Sequence, residues 1–128
     1  MPRQSIDIEG FGHVNPIPVA SRIGPLVVSS IISPSNAGGR EIPDGVDEQI
    51  ANLFRHVGAM LAAAGAGWND VAKMIFYVKD LATRARLNEP WAARFPDPGS
   101  RPARHTQLAQ LAEKVHVACD FLAYVEAR

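Results

Sequence analysis

The chain has 128 residues, with 47% hydrophobic and 20% charged side chains, and its 13 basic and 13 acidic residues cancel. This length and composition predict one soluble domain over residues 1–128, large enough for a hydrophobic core. Neutral charge without a basic stripe argues against a nucleic-acid partner, and the lack of an apolar run near 20 residues argues against a membrane partner. A single cysteine, Cys119, excludes an internal disulfide, fits a reducing compartment and predicts a cytoplasmic protein.

The first half of the chain predicts a β-hairpin followed by a helix. Short β-branched runs at 19–22 and 26–32 are joined at Gly24 and Pro25, which is typical of a hairpin turn. A helix should begin with Asp44 as its cap, carry Asp47 in its first turn and end at the glycines 65 and 67. Its apolar residues recur at helical spacing and form one face. They are Ile50, Leu53, Phe54, Val57, Leu61 and Ala64.

The second half predicts a strand, two short helical pieces and two further strands. From Val71 to Lys79 every second side chain is apolar, so one strand face should be buried. That face carries Ala72, Met74, Phe76 and Val78. Between Leu81 and Phe95 we expect two helical pieces, because Pro90 fits only in the first turn of a helix that Asn88 caps.

The last strand alternates strictly between an apolar face and a mixed face. The apolar face carries Val115, Val117, Cys119, Phe121, Ala123 and Val125. The mixed face carries His116, Ala118, Asp120, Leu122 and Tyr124. The element order β-β-α-β-α-β-β predicts an α+β fold, a mixed sheet with helices on one face. Because one small domain cannot cover the second face, we expect self-association.

Arg104 is the strongest candidate for a binding residue. It follows Pro102, where a loop rich in proline and glycine gives way to a strand. A guanidinium on such a stiff support offers a planar fork of donors that fits a carboxylate, so we expect a small-molecule carboxylate as ligand. The alternative is a surface arginine in a salt bridge. No pair of histidines or carboxylates has the spacing of metal ligands, so we expect no metal.

Several local strings resemble the Rid (YjgF) family of enamine/imine deaminases, and together they extend from about Asn15 to Tyr124. They are Val27-Val28-Ser29-Ser30 followed by Pro34, Gly65-Ala66-Gly67-Trp68-Asn69-Asp70-Val71-Ala72-Lys73, Phe76-Tyr77-Val78-Lys79-Asp80-Leu81, Leu87-Asn88-Glu89 and Pro102-Ala103-Arg104. The resemblance implies a chorismate-mutase-like fold, a homotrimer and active sites in the clefts between subunits. It also implies hydrolysis of 2-imino acids to 2-oxo acids and ammonia. No cofactor is expected, because a protonated imine carbon is already electrophilic.

By this resemblance Arg104 matches the arginine that holds the substrate carboxylate, and Ser30 matches a serine that lines the pocket. We expect Thr106, on the same strand as Arg104, to contact the substrate as well. An alternative role for Ser30 is a strand hydroxyl bonded to nearby backbone.

Three positions of the pocket depart from the family's pattern. The archetypal glutamate of the last strand aligns with Ala118, a tyrosine aligns with Ile17, and a glycine aligns with Ile31. An alanine cannot hold a water or move a proton, so these replacements weigh against the standard activity while the carboxylate anchor survives. Asp120 lies on the same strand face, about 6.6 Å along the strand, and is the candidate acid/base in its place. His116 shares that face and is a second candidate.

Three functions stay open on the sequence. The first is hydrolytic deamination of an enamine/imine or related unsaturated amino acid, giving a 2-oxo acid and ammonia. The second is a non-catalytic trimer that binds a small carboxylate, which the missing glutamate and tyrosine favour. The third is a ribonuclease or translation inhibitor, an activity ascribed to some relatives, and neutral charge argues against it.

Overall fold

A computed structural model describes residues 2–126 of the chain. The strands are β1 (Gln4–Ile6), β2 (Ala20–Ile23), β3 (Leu26–Ser29), β4 (Val71–Val78), β5 (Ala103–Leu108) and β6 (Val117–Tyr124). The helices are α1 (Val46–Ala63), α2 (Thr83–Arg86) and α3 (Asn88–Arg94), with a 3-10 turn at Trp68–Asp70. Within these residues the strands form one sheet of order β1-β2-β3-β6-β4-β5. No helix in residues 2–126 is long and apolar enough to cross a membrane.

The sheet is mixed, as predicted. β4 and β5 run parallel, whereas the other neighbouring pairs in residues 2–126 run antiparallel. The α+β fold and the hairpin of β2 and β3 are therefore confirmed. The short edge strand β1, which pairs with β2, was not predicted, because three residues are too few to show a period.

The core lies between the sheet and the helices. The side chains on the apolar face of β6 are buried together with the apolar face of α1. On the other side, which we call the open face, the sheet exposes large apolar side chains in register with one another. They are Ile23, Leu26, Val28, Leu122 and Tyr124. An exposed apolar sheet face of this kind is expected where another chain packs.

Two expectations about the strands are wrong. Ala72 is exposed although Val71 is buried, because a bulge between Val71 and Lys73 shifts the alternation of β4 by one residue. The second strand of the hairpin ends at Ser29 and not at Ile32. Beyond it, Ile32 makes an isolated antiparallel bridge to β6.

Two expectations about the helix starts are also wrong. The cap of α1 is Gly45 and not Asp44, and no side chain caps the helix. The residue before α3 is Leu87, whereas Asn88 is the first residue of the helix, with Pro90 in its first turn. The expected end of α1 is confirmed, since Gly65 follows its last residues with a φ of 76°.

Helix α1 also buries polar side chains, which we call the polar row: Gln49, Asn52 and His56. The Gln49 amide donates to the carbonyl oxygens of Pro43 (2.7 Å) and Lys114 (2.8 Å). Its oxygen accepts a hydrogen bond from the backbone N–H of His116 at 2.8 Å. One side chain therefore fixes the entry into α1 and the turn before β6 together.

The rest of the polar row fixes the loop between β3 and α1. The Asn52 amide donates to the carbonyl oxygen of Pro34 (3.0 Å) and to Oδ1 of Asn36 (2.9 Å). Nε2 of His56 lies 2.7 Å from the carbonyl oxygen of Ser35, so it carries the proton and donates. Because each amide or ring is satisfied by loop backbone, these polar groups are tolerated in the core.

His56 should make the stability of the protein fall in mild acid. Burial, more than the nearby Arg55, lowers the pKa of His56 from its ordinary value, although the bond to Ser35 opposes the shift. The unfolded chain then binds a proton below about pH 6.5 that the folded chain resists, so stability is lost as pH falls below that value. Urea unfolding between pH 5 and pH 8 should show this slope in the wild type and a flatter one in His56→Gln. The exposed His105 provides the control, and a slope that His105→Gln removes instead would contradict the assignment.

Candidate functional site

Arg104 lies on the edge strand β5 and reaches back over α3. In the parallel pairing with β4 it is opposite the buried Met74, so its side chain is on the helix side of the sheet. One guanidinium nitrogen, Nη2, donates to Oδ1 of Asn88 at 2.8 Å. The guanidinium carbon is 5.2 Å from the ring centroid of Trp91, which is cation–π distance. Two contacts therefore orient the guanidinium.

The charge of Arg104 is not neutralised within the described chain. No carboxylate in residues 2–126 lies within ion-pair distance of it; the ion pair found there joins Arg86 to Asp47. Burial and the nearby Arg84 lower the pKa of Arg104 from its ordinary value, yet a guanidinium stays protonated in proteins. The salt-bridge alternative thus lacks a partner in this part of the chain, and an oriented cation stays available to an anion.

The partners of Arg104 were not all recognised from sequence. Asn88 was expected only as a helix cap, but its side chain holds the guanidinium. Thr106 is half-buried and opposite Phe76, hence on the same side of β5 as Arg104. We call Arg104, Thr106, Asn88 and Trp91 the arginine half-site.

A second group of predicted residues gathers where β3 leaves the sheet. The Ser30 hydroxyl donates to the carbonyl oxygen of Pro18 at 2.8 Å, which is the backbone role considered as its alternative. Ile17 and Ile31 are 45% and 44% exposed. At the end of the hairpin two apolar side chains are therefore exposed to solvent, at positions where the resemblance implied a tyrosine and a glycine.

The mixed face of β6 supplies the remaining predicted residues. Ala118 is 4% exposed and lies opposite Tyr77 of β4. Asp120 is half-buried, and its Oδ2 accepts a hydrogen bond from the Tyr77 hydroxyl at 2.8 Å. Burial, and then Asp120, raise the pKa of Tyr77 to about 12. Tyr77 was missed from the sequence, although the alternation of β4 already placed it opposite the apolar face. We call Ser30, Ile31, Ala118 and Asp120 the open-face half-site.

One protomer does not bring the two half-sites together. β4 separates β5 from β6, a distance of about 10 Å for two strand spacings, and the side chains lie on opposite faces. Five surface clefts within residues 2–126 are lined by other residues, and Arg104, Ser30 and Ala118 line none of these five. Within the same residues no group of three or more His, Cys, Asp or Glu side chains could hold a metal ion.

Comparison with known proteins gives the family. The model of the family described as endoribonuclease L-PSP matches residues 13–125. A RutC family protein of Pyrococcus abyssi is 30% identical over 115 residues, which cover 88% of this chain and 89% of the relative. The chain belongs to the Rid/YjgF family. The resemblance carried by the local strings, from Val27 to Arg104, is thus confirmed.

Two Escherichia coli proteins are also similar to this chain. The 2-iminobutanoate/2-iminopropanoate deaminase is 29% identical over 103 residues, covering 79% of this chain and 80% of the relative. TdcF, solved with bound serine, superposes with a TM-score of 0.87 at 25% identity, covering 96% of this chain and 99% of that one. The fold of this chain therefore matches that of a solved relative over nearly its whole length.

Proposed function

We propose that this Rid/YjgF protein is a hydrolytic deaminase that converts a reactive enamine/imine, or a related unsaturated amino acid, to a 2-oxo acid and ammonia. The observation that carries the proposal is the oriented, unneutralised guanidinium of Arg104. It suits the carboxylate that every 2-imino acid carries. The names of two relatives support this substrate class, since one is a 2-iminobutanoate/2-iminopropanoate deaminase and the other holds serine.

Arg104 would contribute by positioning. A bidentate hold on the carboxylate fixes the neighbouring imine carbon, so that attack by water needs little further ordering. The carbon of a protonated imine is electrophilic without help from a metal or cofactor. The reaction still needs a group that accepts a proton from the attacking water. The methyl group of Ala118 cannot accept one.

We also propose that the site is completed in a homotrimer, because the arginine half-site and the open-face half-site lie on different sides of one protomer. Burying the apolar open face against a neighbour would bring the two kinds of half-site into one cleft. Light scattering should give about three times the 13.8 kDa of one chain. Leu122→Asp on the open face should dissociate the assembly, whereas Leu81→Asp, at a similarly exposed site outside the sheet, should not. A wild-type mass of one chain at micromolar concentration would refute the trimer.

The missing glutamate predicts slow wild-type chemistry. Freshly generated 2-iminopropanoate should release ammonia slowly, and Ala118→Glu should raise the rate by about a hundredfold, because general acid–base groups contribute about 10²–10⁴-fold. Ala118 is nearly enclosed beside Tyr77, so a glutamate at this position needs more space. The gain should therefore be larger when Ala118→Glu is combined with Ile17→Tyr and Ile31→Gly. The assay is competition with semicarbazide for the imine. Ala118→Gln, equal in size but uncharged, is the control and should gain nothing.

One observation favours a second function, a non-catalytic trimer that binds a small carboxylate. The position where relatives are expected to carry the acid/base is an enclosed alanine, Ala118. Tight binding of 2-oxobutanoate together with no release of ammonia would support this alternative. A wild-type rate equal to that of a glutamate-bearing relative would contradict it and the assignment of Ala118.

A further inference from the structure

Asp120 is held in one orientation by a contact that spans two strands. In the antiparallel pairing of β4 and β6, Tyr77 is directly opposite Ala118, and Asp120 is its diagonal neighbour. Diagonal neighbours on one sheet face lie within reach of an aromatic side chain. The hydroxyl of Tyr77 uses this reach to donate to Oδ2 of Asp120 at 2.8 Å. The Tyr77 side chain therefore extends from the strand position opposite Ala118 to the carboxylate of Asp120.

Asp120 also lies close to another member of the open-face half-site, Ile31. Ile32 bridges Cys119 through backbone hydrogen bonds of 2.7 and 3.2 Å. Since the bridge is antiparallel, Ile31 is next to Asp120. Asp120 is thus opposite Ile31 in this register, despite its displacement from Ala118 along β6.

We propose that Tyr77 is a positioning residue that holds Asp120 as the proton acceptor for the attacking water, in place of the carboxylate that Ala118 lacks. This inference rests on the proposed deaminase function. The Tyr77 hydroxyl occupies Oδ2 of Asp120, while Oδ1 accepts no side-chain hydrogen bond from residues 2–126 and is available to water. A short aspartate has little reach, so the orientation of its free oxygen decides whether it meets the water.

The chemistry balances with these two groups. Water forms a C–O bond to the protonated imine carbon, the C=N electron pair moves to nitrogen, and one water proton moves to Asp120. Asp120 then returns the proton to the amine nitrogen, and the C–N bond breaks. Ammonia leaves with the electron pair of that bond. It takes up the proton of the hydroxyl group as the 2-oxo acid forms. Tyr77 stays a neutral donor throughout, because its pKa of about 12 is far above neutral pH.

Tyr77→Phe and Asp120→Asn test the pair, with Tyr124→Phe as the control on the same face. For ammonia release from 2-iminobutanoate, Asp120→Asn should lower kcat by about a hundredfold, as expected for loss of an acid–base group. Tyr77→Phe should lower kcat by about tenfold, the effect of one hydrogen bond to a charged group. KM and the Kd of 2-oxobutanoate should not change in either variant, and Tyr124→Phe should resemble the wild type.

The double variant separates positioning from a structural role. If Tyr77 acts through Asp120, the double variant Tyr77→Phe with Asp120→Asn should be no slower than Asp120→Asn alone. Adding Ala118→Glu to Tyr77→Phe should restore the rate that Tyr77→Phe lost. Additive losses, an unchanged kcat in Tyr77→Phe, or a wild type that binds 2-oxobutanoate but releases no ammonia would each overturn the inference. Binding of 2-oxobutanoate that does not depend on Arg104 would instead overturn the proposed anchor.

Discussion

Arg104→Ala should weaken the binding of 2-oxobutanoate by about a hundred- to a thousandfold while leaving the fold unchanged. Loss of a bidentate pair of charge-assisted hydrogen bonds removes about 3–4 kcal/mol, which corresponds to that change in affinity. The fold should survive because the guanidinium bonds to the exposed Asn88, and the Trp91 ring that it covers is itself buried in the core. Titration calorimetry gives the affinity and thermal unfolding gives the stability.

Two further variants show whether geometry or charge binds the ligand. Arg104→Lys should bind almost as poorly as alanine, because an ammonium cannot make the planar fork. Arg84→Ala removes a cation that acts on Arg104 electrostatically and should leave the affinity within a few-fold of wild type. Equal affinity in Arg104→Ala, Arg104→Lys and wild type would return Arg104 to the role of an ordinary surface arginine.

Gln49→Leu should lower the free energy of unfolding by about 3–5 kcal/mol, the largest stability effect that we expect from one polar side chain. Leucine has a similar size, so little packing is lost. Three hydrogen bonds disappear, and two carbonyl oxygens and one N–H lose these partners at a partly buried site. Unsatisfied buried groups cost about 1–3 kcal/mol each. Urea unfolding at pH 7.5, where His56 does not titrate, measures the difference.

The neighbouring residue gives the matched control. Glu48→Leu introduces the same side chain one residue earlier in α1, at an exposed position. Its effect should be within about 0.5 kcal/mol, as for most surface substitutions. A loss below about 1 kcal/mol in Gln49→Leu would mean that water can replace the amide, and that the polar row is not essential.

The sequence predicts the sheet and α1 well because their apolar residues recur with the correct period. Strict alternation in β6 and the helical spacing in α1 each have one structural solution. The polar row was missed for the same reason. Gln49, Asn52 and His56 are polar, so a reading based on apolar periodicity assigns them to the surface, and only the positions of Pro43, Pro34 and their loops reveal why they are buried.

For the site, the sequence indicates single residues better than contacts. Arg104 follows from its place after Pro102, but its bond to Asn88 depends on how α3 packs against β5. The bond between Tyr77 and Asp120 joins residues 43 positions apart. It depends on the register of two strands, and a bulge in β4 alters that register by one residue, which no local pattern foretells.

The position of β6 has a consequence for how the chain folds during synthesis. The last strand of the sequence is an inner strand of the sheet, between β3 and β4. Until it is made, the edges of β3 and β4 that pair with β6 stay unpaired, and the side of α1 that packs on β6 lacks that contact. Pairing between strands that are far apart in the sequence is slow and leaves strand edges exposed to aggregation. A ribosome that stalls before residue 117 therefore releases a chain that lacks the centre of its sheet, and not a protein that lacks only its tail.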